Sequence, residues 1–92
     1  MLEKDIEKHI CDYAKTKGFL VYKFTSPGHK FVPDRMFINP QGGVFFIEFK
    51  REGGRPTEGQ LREHARMRAQ GVNVYVVDNL YYGKLVVDGT SG

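Results

Sequence analysis

The chain has 92 residues, which fits one domain, and folding at this size buries only about 60 to 65% of the unfolded surface. Hydrophobic residues make up 40% of the sequence and include seven Phe and five Tyr, which argues against disorder. The net charge of +3 permits a polyanionic partner without requiring one, and a single cysteine, Cys11, excludes an intrachain disulfide, a multi-cysteine zinc site and an iron-sulfur cluster.

No apolar run approaches the roughly 20 residues of a membrane span. The segment from Met1 to Ile10 is charged rather than signal-like, so we expect an intracellular, soluble protein without a membrane partner. Six Lys or Arg occur between Lys50 and Arg68. Such a run is as typical of a solvated helix face as of a binding surface.

The first half of the chain is predicted to form one helix and two strands. Apolar residues recur at helical spacing from Leu2 to Lys17, and Gly18 follows as a C-cap. Phe19 to Phe24 is β-branched and aromatic, which predicts a strand. After a loop from Thr25 to Pro33, we expect a second strand from Asp34 to Ile38.

The second half begins with a strand from Val44 to Lys50, which is expected to pair antiparallel with the preceding strand. Thr57 to Gln70 is predicted as a helix with an apolar face, and Val72 to Val77 as a strand covered on both faces. Lys84 to Val87 is expected to add a short edge strand or to pack against the core. The helix face consists of Leu61, Ala65, Met67 and Ala69.

The predicted order is therefore α-β-β-β-α-β with a weak last element. We interpret it as an α/β (α+β) fold with a central mixed sheet flanked by helices. Residues 1–88 are expected to form the single domain, with residues 89–92 as a flexible C-terminal tail.

Two carboxylates and a lysine are predicted to converge at one end of the hairpin. If its loop centres on Gln41, partner residues have numbers that sum to 82, so that Ile38 faces Val44 and Asp34 faces Glu48. Because strand side chains alternate, Lys50 lies on the same face as Glu48.

The apolar neighbours of Glu48 mark a buried central strand, where an uncompensated carboxylate is strongly disfavoured. Its charge can be balanced by a salt bridge from Lys50 to Glu48 or to Asp34. It can equally be balanced by Mg²⁺ bound to Asp34, Glu48, water and the Phe49 carbonyl, because this cation prefers oxygen ligands.

These residues resemble a known nuclease pattern. Pro33-Asp34 followed by Glu48-Phe49-Lys50 is similar to the PD-(D/E)xK nuclease superfamily, and the chain from Glu3 to Asp78 resembles the standalone form of the VRR-NUC (virus-type replication-repair nuclease) family. The segments that carry the resemblance are Glu3-x-x-Ile6, Lys23-Phe24-x-Ser26, Val32-Pro33-Asp34-Arg35, Phe46-Ile47-Glu48-Phe49-Lys50 and Gln60.

The resemblance implies a restriction-endonuclease-like core and a catalytic centre of Asp34, Glu48 and Lys50. Asp34, Glu48 and the Phe49 carbonyl are implied metal ligands for Mg²⁺, with Mn²⁺ as a substitute. Lys50 is implied to position or help deprotonate the attacking water and to stabilise charge on the phosphate.

Glu3 and Gln60 join this centre through the resemblance, and each has a structural alternative. Glu3 borders the buried stripe of the first helix and can reach the outer shell of the metal, but an acid near a helix N-terminus is also favourable by itself. Glu7, one turn later, is the other candidate. Thr57-x-x-Gln60 is also a capping box, in which Gln60 bonds to the cap backbone.

The expected function is structure-selective endonuclease activity on branched DNA, such as Holliday junctions, by a homodimer in the cytoplasm of a bacterium or a phage-infected cell. A non-catalytic nucleic-acid-binding module with the same fold is the alternative. His9, His29 and His64 are interpreted as surface residues, although His29 shares a basic loop that precedes Asp34. The expected DNA contacts are Lys23, Ser26, His29, Lys30, Arg35, Arg51 and Arg55.

Overall fold

A four-stranded mixed sheet organises the chain, and the computed structural model describes residues 1–90 of it. The elements in chain order are α1 (Glu3–Thr16), β1 (Leu20–Lys23), β2 (Arg35–Ile38), β3 (Val44–Phe49), α2 (Glu58–Ala69), β4 (Asn73–Val77) and α3 (Leu80–Thr90). The strands lie in the order β1-β2-β3-β4, with β4 parallel to β3 and the other pairs antiparallel. The predicted fold class is confirmed, with one further helix at the end.

The hairpin of β2 and β3 has the predicted register. Ile38 lies opposite Val44 and Arg35 opposite Ile47, so partner numbers sum to 82. Asn39 holds the connecting turn, because its Oδ1 accepts hydrogen bonds from the main-chain N–H groups of Gln41 and Gly43. The turn thereby centres on Gln41 and fixes which residues of the two strands face each other.

Helices α1 and α3 cover one face of the sheet, where the apolar core lies. The alternation of β3 directs Phe45, Ile47 and Phe49 to this face. Aromatic rings contribute to the packing, since Phe37 and Phe45 stack with ring centroids 5.0 Å apart. The core consists of Ile6, Ile10, Cys11, Ala14, Phe19, Phe37, Phe45, Ile47, Phe49, Val77, Val86 and Val87.

Helix α2 covers the opposite face, and its inward side differs from the predicted one. Leu61 is 50% exposed, whereas His64 is fully buried. The prediction that His64 is a surface residue is therefore wrong. The helix turns Gln60 and His64 inward because both side chains lie against Glu48, which its position in β3 places on this face.

The last element is a helix, so the predicted edge strand at Lys84 to Val87 is wrong, while packing of Val86 and Val87 against the core is confirmed. Asn79 starts α3, because its Oδ1 accepts a hydrogen bond from the Tyr82 main-chain N–H. Gly83 lets the helix lie close to α1, since a Cβ atom there would come within 2.6 Å of the Ile10 side chain.

The tail prediction is wrong for Gly89 and Thr90, which form the last turn of α3. The Thr90 hydroxyl donates to the main-chain carbonyls of Val86 and Val87. The remaining tail residues, 91–92, lie outside the described part of the chain. Among the helices of residues 1–90, none combines the length and apolarity needed to cross a membrane.

Candidate active site

Asp34 and Glu48 are neighbours at one end of the sheet. Asp34 immediately precedes β2, and continuing the register by one residue places it opposite Glu48 of β3. The Asp34 Oδ2 atom accepts a hydrogen bond of 2.8 Å from the Phe49 main-chain N–H. This bond holds the Asp34 carboxylate beside the strand that carries Glu48.

Glu48 is only 3% exposed, and its two carboxylate oxygens have different surroundings. Oε2 accepts a hydrogen bond of 3.1 Å from Gln60 Nε2 and lies 3.4 Å from Lys50 Nζ. Oε1 is buried without a hydrogen-bond partner among residues 1–90, and its neighbour, His64 Nε2, is 3.9 Å away. One oxygen of Glu48 is therefore bound by side chains, and the other is not.

The site carries more negative charge than Lys50 balances. Burial, with the neighbouring Asp34 carboxylate as the next cause, raises the pKa of Glu48 to about 7, although Lys50 opposes the shift. Burial also raises the pKa of Asp34, with Glu7 adding to the effect and the Phe49 N–H and Lys50 opposing it. Of the two salt bridges that the sequence left open for Lys50, the one to Glu48 is present, but it does not offset the effect of burial on the pKa of Glu48.

A hard divalent cation fits this donor set. Two adjacent carboxylates with raised pKa values, one of them with an oxygen that lacks a partner, would be relieved of repulsion by a cation between them. Residues 1–90 contain no group of three or more His, Cys, Asp or Glu side chains arranged to hold a metal ion. Main-chain and water oxygens would have to complete the coordination, as is usual for Mg²⁺.

Both acidic candidates of α1 influence the site, but they differ in their partners. Glu7 Oε2 accepts a hydrogen bond of 2.6 Å from Arg35 Nε, and the Glu7 charge also raises the pKa of Asp34. Glu3 raises the pKa of Glu48 and has no ion pair within the described chain. Arg35 thus neutralises Glu7, whereas Glu3 is exposed and acts on Glu48 through its charge.

Gln60 makes hydrogen bonds both to the start of α2 and to Glu48. Its Oε1 accepts from the Thr57 main-chain N–H at 3.0 Å, and its own N–H donates to the Thr57 hydroxyl at 3.2 Å, which completes the capping box. Its Nε2 meanwhile donates to Glu48 Oε2. The same amide caps α2 and holds Glu48.

His64 is the site residue that the sequence reasoning missed. It lies one helical turn after Gln60 on the same side of α2, and neither of its ring nitrogens has a hydrogen-bond partner among residues 1–90. Burial lowers the pKa of His64, and the positive charge of Arg68 and Lys50 acts in the same direction. The spacing of four residues from Gln60 was the available signal, since helix residues four apart share a face.

Five of the seven expected DNA contacts line one cavity of about 450 Å³ that also contains Asp34. They are Lys23, Ser26, His29, Lys30 and Arg35. Arg51 and Arg55 lie instead on the turn between β3 and α2, where both are exposed, and Arg51 donates to the Glu52 carbonyl. The structure thus brings four residues that precede β2 together with Arg35, the first residue of β2. Arg51 and Arg55 lie apart from this group.

Known proteins resemble the chain in sequence and in fold. No protein-family model matches the sequence. A protein of Acyrthosiphon pisum secondary endosymbiont phage 1, named "Putative nuclease p44", is 47% identical over 77 residues, which cover 84% of this chain and 83% of that protein. A solved structure described as "VRR_NUC domain" superposes with a TM-score of 0.87 at 32% identity and covers 96% of both chains.

Proposed function

Because this chain belongs to the VRR_NUC family and its relatives mark it as a nuclease, we propose that it is a metal-dependent, structure-selective DNA endonuclease. The observation that carries the proposal is the buried Glu48 carboxylate, which has one oxygen without a partner beside Asp34 and Lys50. Burial and the neighbouring Asp34 raise the pKa of Glu48 to about 7 even with Lys50 at 3.4 Å, which supports a site that a cation would complete.

Asp34 and Glu48, with the Phe49 carbonyl, would hold Mg²⁺ or Mn²⁺, and Glu3 would contact it through water. When bound, the cation supplies Lewis acidity to the scissile phosphate and to the attacking water. The hydrogen bonds from Phe49 N–H to Asp34 and from Gln60 to Glu48 orient the two carboxylates in advance.

Lys50 has the role of the cationic catalytic residue. Its Nζ lies 3.4 Å from Glu48 Oε2, and its side chain is 16% exposed, so it is held at the site and remains partly accessible to solvent. From there it would position the attacking water and stabilise negative charge that develops on the phosphate.

The proposed substrate is branched DNA, such as a Holliday junction, in replication, recombination or repair. The basic cavity that contains Asp34 would receive the phosphate backbone next to the cut. A chain of 92 residues covers little duplex, so we propose a homodimer whose two sites cut two strands.

A cleavage panel tests this function. Purified protein is incubated with junctions, flaps, duplex and single strands in Mg²⁺, Mn²⁺ or EDTA, beside Lys50→Ala. We expect cleavage in both metals, none in EDTA, and a loss of about 10² to 10³ in rate for Lys50→Ala. If the protein binds these DNAs in a gel-retardation assay but cleaves none of them in any metal, it is a non-catalytic binding module.

A further inference from the structure

A second cavity, of about 520 Å³, lies between the loop before β2 and helix α2. The side chains that matter here are His29, Lys30, Phe31, Arg62, Glu63 and Arg66. His29 and Lys30 also line the cavity beside Asp34, so the two cavities adjoin along this loop. We call the second cavity the α2 groove.

Positive charge dominates the α2 groove. Arg62 and Lys30 are exposed and form no ion pair with any residue of the described chain. Arg66 lies 3.5 Å from the Glu63 carboxylate, and its side chain remains 71% exposed. Three permanent cations and one acid therefore face the same space, which favours a polyanionic ligand.

An aromatic ring in the α2 groove distinguishes it from an ordinary solvated helix face. Phe31 is 41% exposed although it is a large hydrophobic residue. Its ring rests against Gly59, where an added Cβ atom would lie 2.6 Å from the nearest ring carbon. The absence of a side chain at Gly59 thus makes room for the Phe31 ring. The rest of the ring is exposed to solvent beside the arginines.

We propose that the α2 groove binds an unpaired strand of the DNA that the active site cuts. Arg62, Arg66 and Lys30 contact its phosphates, and Phe31 stacks on a base, which is the combination found in single-strand binding sites. A duplex does not offer base faces to such a ring. The proposal rests on the proposed nuclease function and narrows its substrate to branched DNA with a single-stranded segment next to the scissile bond, such as a flap, in preference to a fully paired Holliday junction.

The charge part is tested by titrating a fluorescent oligothymidylate into the full chain in EDTA at several salt concentrations. For Arg62→Ala/Arg66→Ala we expect at least a tenfold loss of affinity. The slope of log affinity against log salt concentration should also become shallower by about 1.4, because each phosphate contact to a single strand contributes about 0.7 to it. The conservative Arg62→Lys/Arg66→Lys variant should retain most of the binding.

The matched control is Lys8→Ala/Lys84→Ala. It removes the same charge from another cavity, of about 440 Å³, which Lys8 of α1 and Lys84 of α3 both line. Equal losses in the two alanine variants would overturn the proposal, because they would reflect net charge alone.

The stacking part is tested with Phe31→Leu, which keeps an apolar contact with Gly59. Affinity for oligothymidylate should fall roughly 5- to 150-fold, while affinity for an abasic strand of equal length stays unchanged. An equal effect on both strands contradicts stacking. If the α2 groove variants bind and cut DNA like the parent protein, the groove proposal fails and the nuclease function stands. If binding depends on the groove but no metal supports cleavage, the nuclease function fails and the groove proposal stands.

Discussion

The face of the sheet under α1 and α3 is packed with apolar side chains, whereas the face under α2 buries a carboxylate and an imidazole beside a half-buried amide. Adjacent residues of β3 belong to the two sides, since Ile47 joins the apolar core and Glu48 lies against α2. The first face supplies stability through hydrophobic burial. The second face loses stability through its desolvated charge, which under the proposed function binds the metal ion.

The largest expected effect concerns the polar face. Glu48→Gln keeps the shape of the side chain but removes the charge that would bind the cation, so cleavage should fall by roughly 10³-fold or more, equivalent to about 4 kcal/mol of transition-state stabilisation. Single-turnover rates in Mg²⁺ measure this loss. The control is Glu52→Gln, which removes an exposed carboxylate with a side chain 72% exposed. Similar rates for both variants would contradict the assigned site.

On the apolar face the effect should be on stability. Ile47→Ala removes a fully buried side chain from the core and is expected to lower the free energy of unfolding by about 2 to 5 kcal/mol. Urea denaturation of this variant beside Glu48→Gln compares the two faces at adjacent positions. In EDTA, Glu48→Gln should cost little or add stability, because it removes buried charge. A large loss in both variants would mean that the two faces contribute alike.

The two functions of Gln60 can be separated. Gln60→Ala removes the hydrogen bond to Glu48 and half of the capping box, so we expect a fall in activity of about 10- to 100-fold. Thr57→Ala removes a cap hydroxyl and leaves the Gln60 amide, so it should cost about 0.5 to 2 kcal/mol of stability with a much smaller loss of activity. Equal losses of rate in the two variants would assign Gln60 to capping alone.

A smaller effect is expected from pH. Burial raises the pKa of Glu48 from 4.5 to about 7, so the folded state holds a proton that the unfolded chain releases. The stability from this group is complete below pH 4.5 and is lost as the pH rises through 7. Asp34 acts in the same direction, since burial also raises its pKa.

The parent protein in EDTA should therefore lose thermal stability relative to Glu48→Gln between pH 4.5 and 7. We expect a relative decrease in Tm of roughly 4 to 8 °C, the shift that about 1 kcal/mol produces in a domain of this size. Mg²⁺ should restore the Tm of the parent at pH 8 far more than at pH 5, since protons compete with the cation. Parallel Tm profiles for the two proteins would show that Glu48 titrates normally.

The sequence was sufficient for the parts of the fold that depend on local pattern. The register of β2 and β3 followed from the turn at Gln41, and the buried β3 followed from its run of apolar residues, so that Asp34, Glu48 and Lys50 could be placed together. Each of these inferences uses residues close in the chain, where alternation and turn length determine geometry.

The wrong predictions for α2 and α3 have one physical cause. Which residues of an element are buried depends on what packs against it from a distant part of the chain. Helix α2 shows apolar residues at helical spacing, yet Glu48 draws Gln60 and His64 inward and leaves Leu61 exposed. The Val86–Val87 pair fits a strand or a helix equally, and the cap at Asn79 and the contact of Gly83 with α1 select the helix.

The double bonding of Gln60 also couples local unfolding to catalysis. Its amide oxygen closes the first turn of α2, and its nitrogen restrains Glu48, so fraying of that turn removes the hydrogen bond to the proposed metal ligand in the same event. Helix ends open at a lower free energy than the core does. If Glu48 binds the metal as proposed, activity depends on the stability of a single helical turn, while the apolar face beneath α1 and α3 keeps the rest of the domain folded.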